Sequence, residues 1–263
     1  MFTETIKIKY IYHSCYSVEL DDKLIIFDYY KGNLPKPIPG KQTIFVSTHS
    51  HADHFNKEIL KVPYMEDCIY LLSSDIKELY RSNNIIYLND KDKDVDIDTL
   101  KILKNSKNIY FFNPDEELVL DDMIISTYGS TDKGISILLD FSYISIYHAG
   151  DLNNWIWPED SLKEREAMTL AFNKELDKVD IEQIDIAFFP IDPRLGENYA
   201  KGAEIFLDII CPEVLFPMHF ADNFEITEKF ANDYSDQYSD IKTIYHRDEE
   251  FEVLIEIEND NEY

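Results

Sequence analysis

From Ile6 to Phe27 apolar and polar residues alternate, as in Ile6-Lys7-Ile8-Lys9-Tyr10, with a turn at Asp21-Asp22-Lys23. A period of two predicts antiparallel strands that open a sheet with one buried face. Shorter runs that are apolar throughout, Ile44-Phe45-Val46, Ile186-Ala187-Phe188-Phe189 and Val214-Leu215-Phe216, predict buried strands. Further strands are expected at 68–72, 85–88, 109–112, 117–120, 123–128, 135–141 and 143–147. Helices are expected at 56–61 with Asn56 as cap, and at 74–80, 160–178 and 199–210. Along 160–178 and at the residue that follows, Met168, Ala171, Phe172, Leu176 and Val179 recur at helical spacing and read as core packing. Residues 89–98, nearly all charged, read as a surface excursion. Pro35, Pro37 and Pro39 impose an extended loop, placed across the mouth of any site nearby. Two strand-rich halves with helices outside are what a four-layer sandwich needs.

The strand at 44–46 runs into Ser47-Thr48-His49-Ser50-His51-Ala52-Asp53-His54-Phe55. In extended chain residues i and i+2 point the same way, so His49 and His51 can grip one ion. Asp53 and His54, one step into a turn, face differently and can serve a second ion close by. Imidazole and carboxylate without thiolate suit zinc, with manganese or iron as alternatives. A second strand end, Tyr147-His148-Ala149-Gly150-Asp151, offers another carboxylate, and Gly150 lets the backbone come close. Asp151 reads as a bridging ligand, because a carboxylate shared by two dications offsets their repulsion at a spacing of roughly 3.5–4 Å.

Charge narrows the partners. With Lys+Arg 25 against Asp+Glu 52 the formal net charge is -27, which repels phosphate backbones and anionic membranes. Neither nucleic acid nor a membrane is an expected partner; a small-molecule substrate is, and a homo-oligomer stays open. The tail at 248–262 crowds acidic residues around Phe251, Val253, Leu254 and Ile255 and reads as an edge strand with a charged face. Cys15, Cys68 and Cys211 are far apart and outside any pairing or ligand spacing; they read as reduced core thiols of a cytoplasmic protein. The start lacks a signal-peptide pattern, and no apolar run reaches the length of a membrane span. With 263 residues and no evident linker, one domain over 1–263 is expected.

The His-x-His-x-Asp-His string resembles the signature of the metallo-β-lactamase superfamily. That resemblance implies an α+β fold, a four-layer αββα sandwich of two mixed sheets with one or two metals between them. Tyr147-His148-Ala149-Gly150-Asp151 resembles the fourth motif, in which His148 is more often a neighbour than a ligand. Pro217-Met218-His219-Phe220 resembles the last motif and implies that His219 completes the second metal with Asp53, His54 and Asp151. Asp28, closing Ile25-Ile26-Phe27, stands where relatives often hydrogen-bond a ligand histidine, though a strand-end turn former is the competing reading. His13, in Tyr12-His13-Ser14-Cys15, lies either near the site rim or as a satisfied, partly buried imidazole. The third motif usually supplies a histidine, and Thr127-Tyr128-Gly129-Ser130-Thr131-Asp132-Lys133-Gly134 has none. Asp132-Lys133-Gly134 is also an ordinary hairpin turn; otherwise Asp132, Tyr128 or His148 replaces the missing ligand, or the first metal is held weakly.

Around the site, Trp155 and Trp157 read either as a stacking surface for a flat ligand or as a hydrophobic cover. Arg194, after Pro190-Ile191-Asp192-Pro193, is the candidate to meet a phosphate or carboxylate, against a structural pair with Asp192. His246 reads as surface. The whole resembles the L-ascorbate-6-phosphate lactonase-like branch. It implies a zinc-dependent hydrolase, with manganese or iron as alternatives, that opens a lactone, ester or phosphoester bond with metal-activated hydroxide, and Asp53 as its proton carrier. The alternative is a catalytically silent metal-binding sensor or interaction protein; an RNase Z-type nuclease conflicts with the charge.

Overall fold

The computed structural model describes residues 2–63, 65–81, 97–179, 181 and 183–257. The first half forms β1 (Phe2–Tyr12), β2 (Cys15–Glu19), β3 (Lys23–Phe27), β4 (Gln42–Ser47), β5 (Ile69–Ser73) and β6 (Ile109–Phe112), with helices α1 (Ser74–Arg81) and α2 (Ile97–Asn105). The second half forms β7 (Glu116–Leu120), β8 (Met123–Tyr128), β9 (Ser136–Phe141), β10 (Ile144–His148), β11 (Ile186–Pro190), β12 (Val214–Met218) and β13 (Asp240–Ile241). It carries helices α3 (Leu162–Leu176), α4 (Lys201–Ile209) and α5 (Glu225–Tyr234), after which β14 (Glu250–Ile257) returns to the first sheet.

Two seven-stranded mixed sheets result, ordered β14-β1-β2-β3-β4-β5-β6 and β13-β12-β11-β10-β9-β8-β7. In each, antiparallel pairs give way to parallel ones, beginning at β3–β4 in the first and β10–β11 in the second. The side-chain period explains the layering. Ile44 and Val46 of β4 join the core between the sheets, while Phe45 faces outward into a second cluster with Ile76 of α1 and Leu103 of α2. The same alternation sends Ile25 and Phe27 of β3 inward and Leu24 and Ile26 outward. On the other side Phe172 of α3 and Phe206 of α4 close over Phe189 of β11. This is the α+β sandwich the sequence predicts.

Several elements differ from the sequence reading. The helix expected at 56–61 is a 3₁₀ turn, Lys57–Lys61, although Asn56 does cap it by accepting the Glu58 N–H at 3.0 Å. The strand expected at 85–88 lies outside the described residues, as does most of the excursion at 89–98, whose last two residues begin α2. The proline-rich loop does not lie at the site; Pro35, Lys36 and Ile38 line a groove against β1 and β14. Cys15 and Cys68 are buried thiols, whereas Cys211 is exposed. Within the acidic tail, Glu250–Ile257 forms an edge strand antiparallel to β1. No helix among the described residues is long and apolar enough to cross a membrane.

Candidate metal centre

The carboxyl ends of parallel strands in open α/β sheets are where loops leave the sheet and ligands gather. Here β3 ends at Asp28, β4 at the His49 string, β10 just before Asp151, β11 just before Asp192 and β12 at His219. The β1–β2 corner adds His13, and the loop after β8 adds Asp132. His13, Asp28 and His219 all hold left-handed backbone, with φ of 60°, 44° and 67°. That conformation costs roughly 1–2 kcal/mol per residue and persists only where the surroundings impose it. One imposing contact is the His219 N–H, which donates to the His13 carbonyl at 3.1 Å.

Two groups of ligand-type atoms face one another across this end of the sandwich: His13, Asp53, His54 and His219, and His49, His51, Asp132 and Asp151. Within each group the atoms lie within 4.8 Å of one another. Asp151 touches both. Its Oδ2 is 3.3 Å from His49 Nε2, and its Oδ1 is 3.1 Å from His54 Nε2 and 3.4 Å from His219 Nε2. Asp53 Oδ2 lies 3.5 Å from His13 Nε2, and Asp132 Oδ2 lies 3.5 Å from His51 Nδ1.

The imidazoles are oriented from behind. A carboxylate only accepts, so the 2.7 Å contact between His54 Nδ1 and Asp28 Oδ2 requires the proton on Nδ1, which turns the Nε2 lone pair toward Asp151. Asp192 Oδ2 does the same for His219 Nδ1 at 3.0 Å. Thr48 Oγ1 donates its one proton to Asp28 Oδ2 at 2.7 Å and therefore accepts from His49 Nδ1 at 3.1 Å. The buried Asp28 carboxylate, which also accepts the Thr48 N–H at 2.7 Å, thus reaches one histidine in each group. Gly134 and Gly150 let neighbouring loops close on Thr48. A Cβ on Gly134 would stand 2.1 Å from the Thr48 carbonyl, and one on Gly150 would stand 2.9 Å from the Thr48 side chain.

Charge follows geometry. Burial pushes the Asp28 carboxyl up, but the His54 and His148 charges and the His54 hydrogen bond bring it below its ordinary value. Burial also pushes His54 down, and Asp151 and Asp28 outweigh it, raising His54 well above its ordinary value and leaving Asp151 well below its own. Contact with His13 holds Asp53 ionised. His148 goes the other way: burial lowers it.

The three candidates for the absent third-motif histidine part here. Asp132 lies in the second group, on a loop pinned at both ends. Thr131 Oγ1 donates to the Asn153 carbonyl, Lys133 Nζ donates to Ser50 Oγ at 2.8 Å, and the Ile135 N–H donates to the Thr48 carbonyl at 3.0 Å. His148 is in neither group. It stacks on Phe27 at 5.0 Å, donates from Nε2 to the Ser14 carbonyl at 3.0 Å and accepts the Gly150 N–H on Nδ1 at 3.1 Å. Tyr128 lines a separate depression with Glu116, Lys178 and Ile181. His246 is exposed, as expected.

A cavity of about 340 Å³ opens beside the clusters, lined by His51, Asp53, Asp132, Asp151 and His219 together with Thr131, Trp155, Trp157, Met168 and Arg194. Trp155 is fixed by its Nε1, which donates to the Asp151 carbonyl at 2.9 Å, and its ring meets His219 edge-on at 5.4 Å. Sequence reasoning assigned Met168 to the core, and α3 instead turns it to the cavity while Phe172 and Leu176 take the core side. The sequence leaves His13 open between the site rim and a satisfied imidazole, and it does not mark Thr48 or the contact of Asp192 with His219. A histidine at a tight hairpin corner was the available signal for the first; nothing in the sequence marks the others.

The donor set fits cations. His54 Nε2 and Asp151 Oδ1 are buried without a hydrogen-bond partner among the described residues. A buried carboxylate oxygen 3.1 Å from an imidazole nitrogen in a dry site calls for positive charge, which a proton on His54 or a cation taking its place supplies. Imidazole nitrogen and carboxylate oxygen without sulfur suit zinc, manganese or iron.

Comparison with known proteins agrees with this architecture. Residues 7–167 match the family model described as "Beta-lactamase superfamily domain". Among solved structures, the chain is similar to Igni18, a metallo hydrolase from the archaeon Ignicoccus hospitalis KIN4/I, at 20% identity and TM-score 0.57, over 97% of this chain and 100% of that one. It is similar to an isothiocyanate hydrolase from Delia radicum gut bacteria at 14% identity and TM-score 0.54, over 94% of this chain and 100% of that one. It is also similar to a variant of the β-hydroxylase CmlA of Streptomyces venezuelae at 12% identity and TM-score 0.58, over 94% of this chain and 54% of that one. The search of curated proteins returned no match. With the family model covering more than half of its length and two mixed sheets enclosing paired His/Asp clusters, the chain belongs to the beta-lactamase superfamily and has the metallo-β-lactamase fold.

Proposed function

We propose that the protein is a metal-dependent hydrolase that opens a lactone, ester or phosphoester bond of a small polar substrate. The observation that carries this reading is the concerted orientation of His49, His54 and His219. Each has its Nδ1 proton engaged, by Thr48, Asp28 and Asp192, and each turns Nε2 toward Asp151. Partners that fix the tautomer and raise the basicity of an imidazole are the usual company of metal ligands.

His13, Asp53, His54 and His219 would hold one cation, His49, His51 and Asp132 the other, with Asp151 shared. Zinc is the favoured ion; Asp132 in place of an imidazole moves the second group toward manganese or iron. Such cations supply a water acidified to a pKa of about 7 and a Lewis acid for the oxygen that gains charge. The chain's own residues do the rest. Asp53, facing the cavity, orients the attacking water and relays a proton to the leaving group; its ionised state beside His13 lets it accept that water's hydrogen bond. Trp155 and Trp157 shield one flank from solvent. The names of Igni18 and the isothiocyanate hydrolase are consistent with hydrolysis.

The test is turnover on a panel of lactones, esters and phosphodiesters by protein loaded with zinc or manganese, with and without chelator. Metal-dependent turnover that disappears in Asp151→Ala supports the reading, and full turnover in chelator contradicts it. A fully loaded protein that turns over none of the panel favours a metal-binding sensor. The observation behind that second reading is the half-exposed pair His51 and Asp132, which leaves one cluster open to solvent.

A further inference from the structure

We propose that the cavity is built for a substrate carrying, apart from the bond to be cleaved, a terminal oxyanion that is held by Arg194 against Trp157. This rests on the hydrolase reading and names the class of molecule that site would take. Among the described residues, Arg194 is the one lysine or arginine lining the cavity. Its guanidinium is fixed and yet open. Nε donates to both oxygens of Asp192 at 2.9 Å, Nη2 donates to Oδ2, and the Arg194 backbone N–H adds a fourth contact at 2.9 Å. The Asp192 side chain is 1% exposed and the Arg194 side chain 61%.

That asymmetry is informative. Asp192 already accepts the His219 proton, so the histidine has its brace without a cation. A guanidinium serving only to neutralise a buried carboxylate gains most by being covered with it. This one keeps its outer edge, Nη1 and the second Nη2 proton, free of protein acceptors among the described residues. Two parallel N–H groups on a rigid fork match the oxygens of a carboxylate or phosphate, and pre-fixing the side chain removes most of the entropy cost of using it.

The walls specify the rest of the molecule. Arg194 Cζ stands 5.7 Å from the centre of the Trp157 ring, which lies nearly parallel to Trp155 at 6.4 Å, with Met168 beside them. A flat or apolar body can lie on these side chains with its anionic end at Arg194 and its scissile bond toward Asp151. A cavity of about 340 Å³ is at the small end of ligand sites. With a net charge of -27 the protein repels anions at a distance, so recognition must be local, at this guanidinium and at the cations.

Both tryptophans of the chain line the cavity, so intrinsic fluorescence reads its occupancy without any turnover. Zinc-loaded protein is titrated with benzoate, phenyl phosphate and the neutral benzamide. The expected result is saturable quenching by at least one anion, about tenfold or more tighter than by benzamide, since hydrogen bonds to a charged group carry that much. Arg194→Gln should lose that margin at unchanged zinc content, and Arg194→Lys, which keeps a charge on Asp192, should retain part of it. Preference between benzoate and phenyl phosphate names the oxyanion. Equal response to anions and benzamide, or wild-type anion affinity in both variants, overturns the proposal and assigns any anion binding to the cations. Because binding is read directly, a chain that holds benzoate through Arg194 but hydrolyses nothing refutes the hydrolase reading and leaves this one standing.

Discussion

The two ligand groups share Asp151 but rest on different foundations. His13, His54 and His219 are buried, and His54 and His219 are braced directly by ionised, buried carboxylates, Asp28 and Asp192. In the other group only His49 is braced, through the hydroxyl of Thr48, and both His51 and Asp132 are more than two-fifths exposed, as Asp53 alone is in the first. Rigid, dry, imidazole-rich surroundings fix coordination geometry, whereas exposed ligands on a loop can adapt or let go. The first group is therefore expected to bind its cation tightly and the second weakly, with the weaker position nearer the solvent side of the cavity.

Removing the shared carboxylate breaks the comparison altogether. Asp151→Ala should lower affinity at both positions by more than about 100-fold, beyond the 10–100-fold typical of an orienting partner, and abolish turnover; equilibrium dialysis with elemental analysis reads it. Asp28→Asn should cost about 10–100-fold at both positions, because Asp28 reaches His54 directly and His49 through Thr48. Asp132→Ala should separate the groups. Cation content is expected to fall from about two per chain to about one, with the remaining ion no more easily removed by chelator than in wild type. Thr48→Val is a milder version, about tenfold at the second group alone, near the lower end of the range for orienting partners.

The smallest effect concerns His148, the buried histidine outside both groups. Its folded pKa lies below the ordinary 6.5, so as pH falls below 6.5 the unfolded chain takes up a proton that the folded chain refuses. Stability from this group is complete above pH 6.5 and is lost downward until its lower folded pKa is reached. His148→Gln should remove that part of the slope, read as a smaller difference in Tm between pH 5.5 and pH 7.5 than wild type shows in metal-free protein.

How much of this was legible in the sequence follows from where the residues lie. His49, His51, Asp53 and His54 are contiguous and follow a buried strand, so strand geometry alone suggested two faces. Asp151 and His219 were legible because each follows an apolar strand in the expected order. His13 was harder: it is a lone histidine at the β1–β2 corner, and only the pairing of β1 with β2 and the bond from the His219 backbone bring it alongside. Thr48 and Asp192 act through partners distant in sequence, so no local pattern marks them. Asp192 was weighed only as a partner of Arg194, and the fold gives it both roles at once. Met168 misled because a helical stripe wide enough to fill a core also reaches the cavity at its edge. The fold itself was the easier part, since periods of two and continuous apolar runs identify strands wherever the chain obeys them. The helices α2 and α5 lie in polar stretches, where Leu103 and Phe230 turn inward beside the buried threonines Thr99 and Thr227.

Anomalous scattering from crystals grown with zinc or manganese tests the central claim most directly. Two peaks flanking Asp151, one amid His13, Asp53, His54 and His219 and one amid His49, His51 and Asp132, with the second at lower occupancy, are the predicted result. Cations bound elsewhere, or none at Asp151 in protein that is fully active, would contradict it.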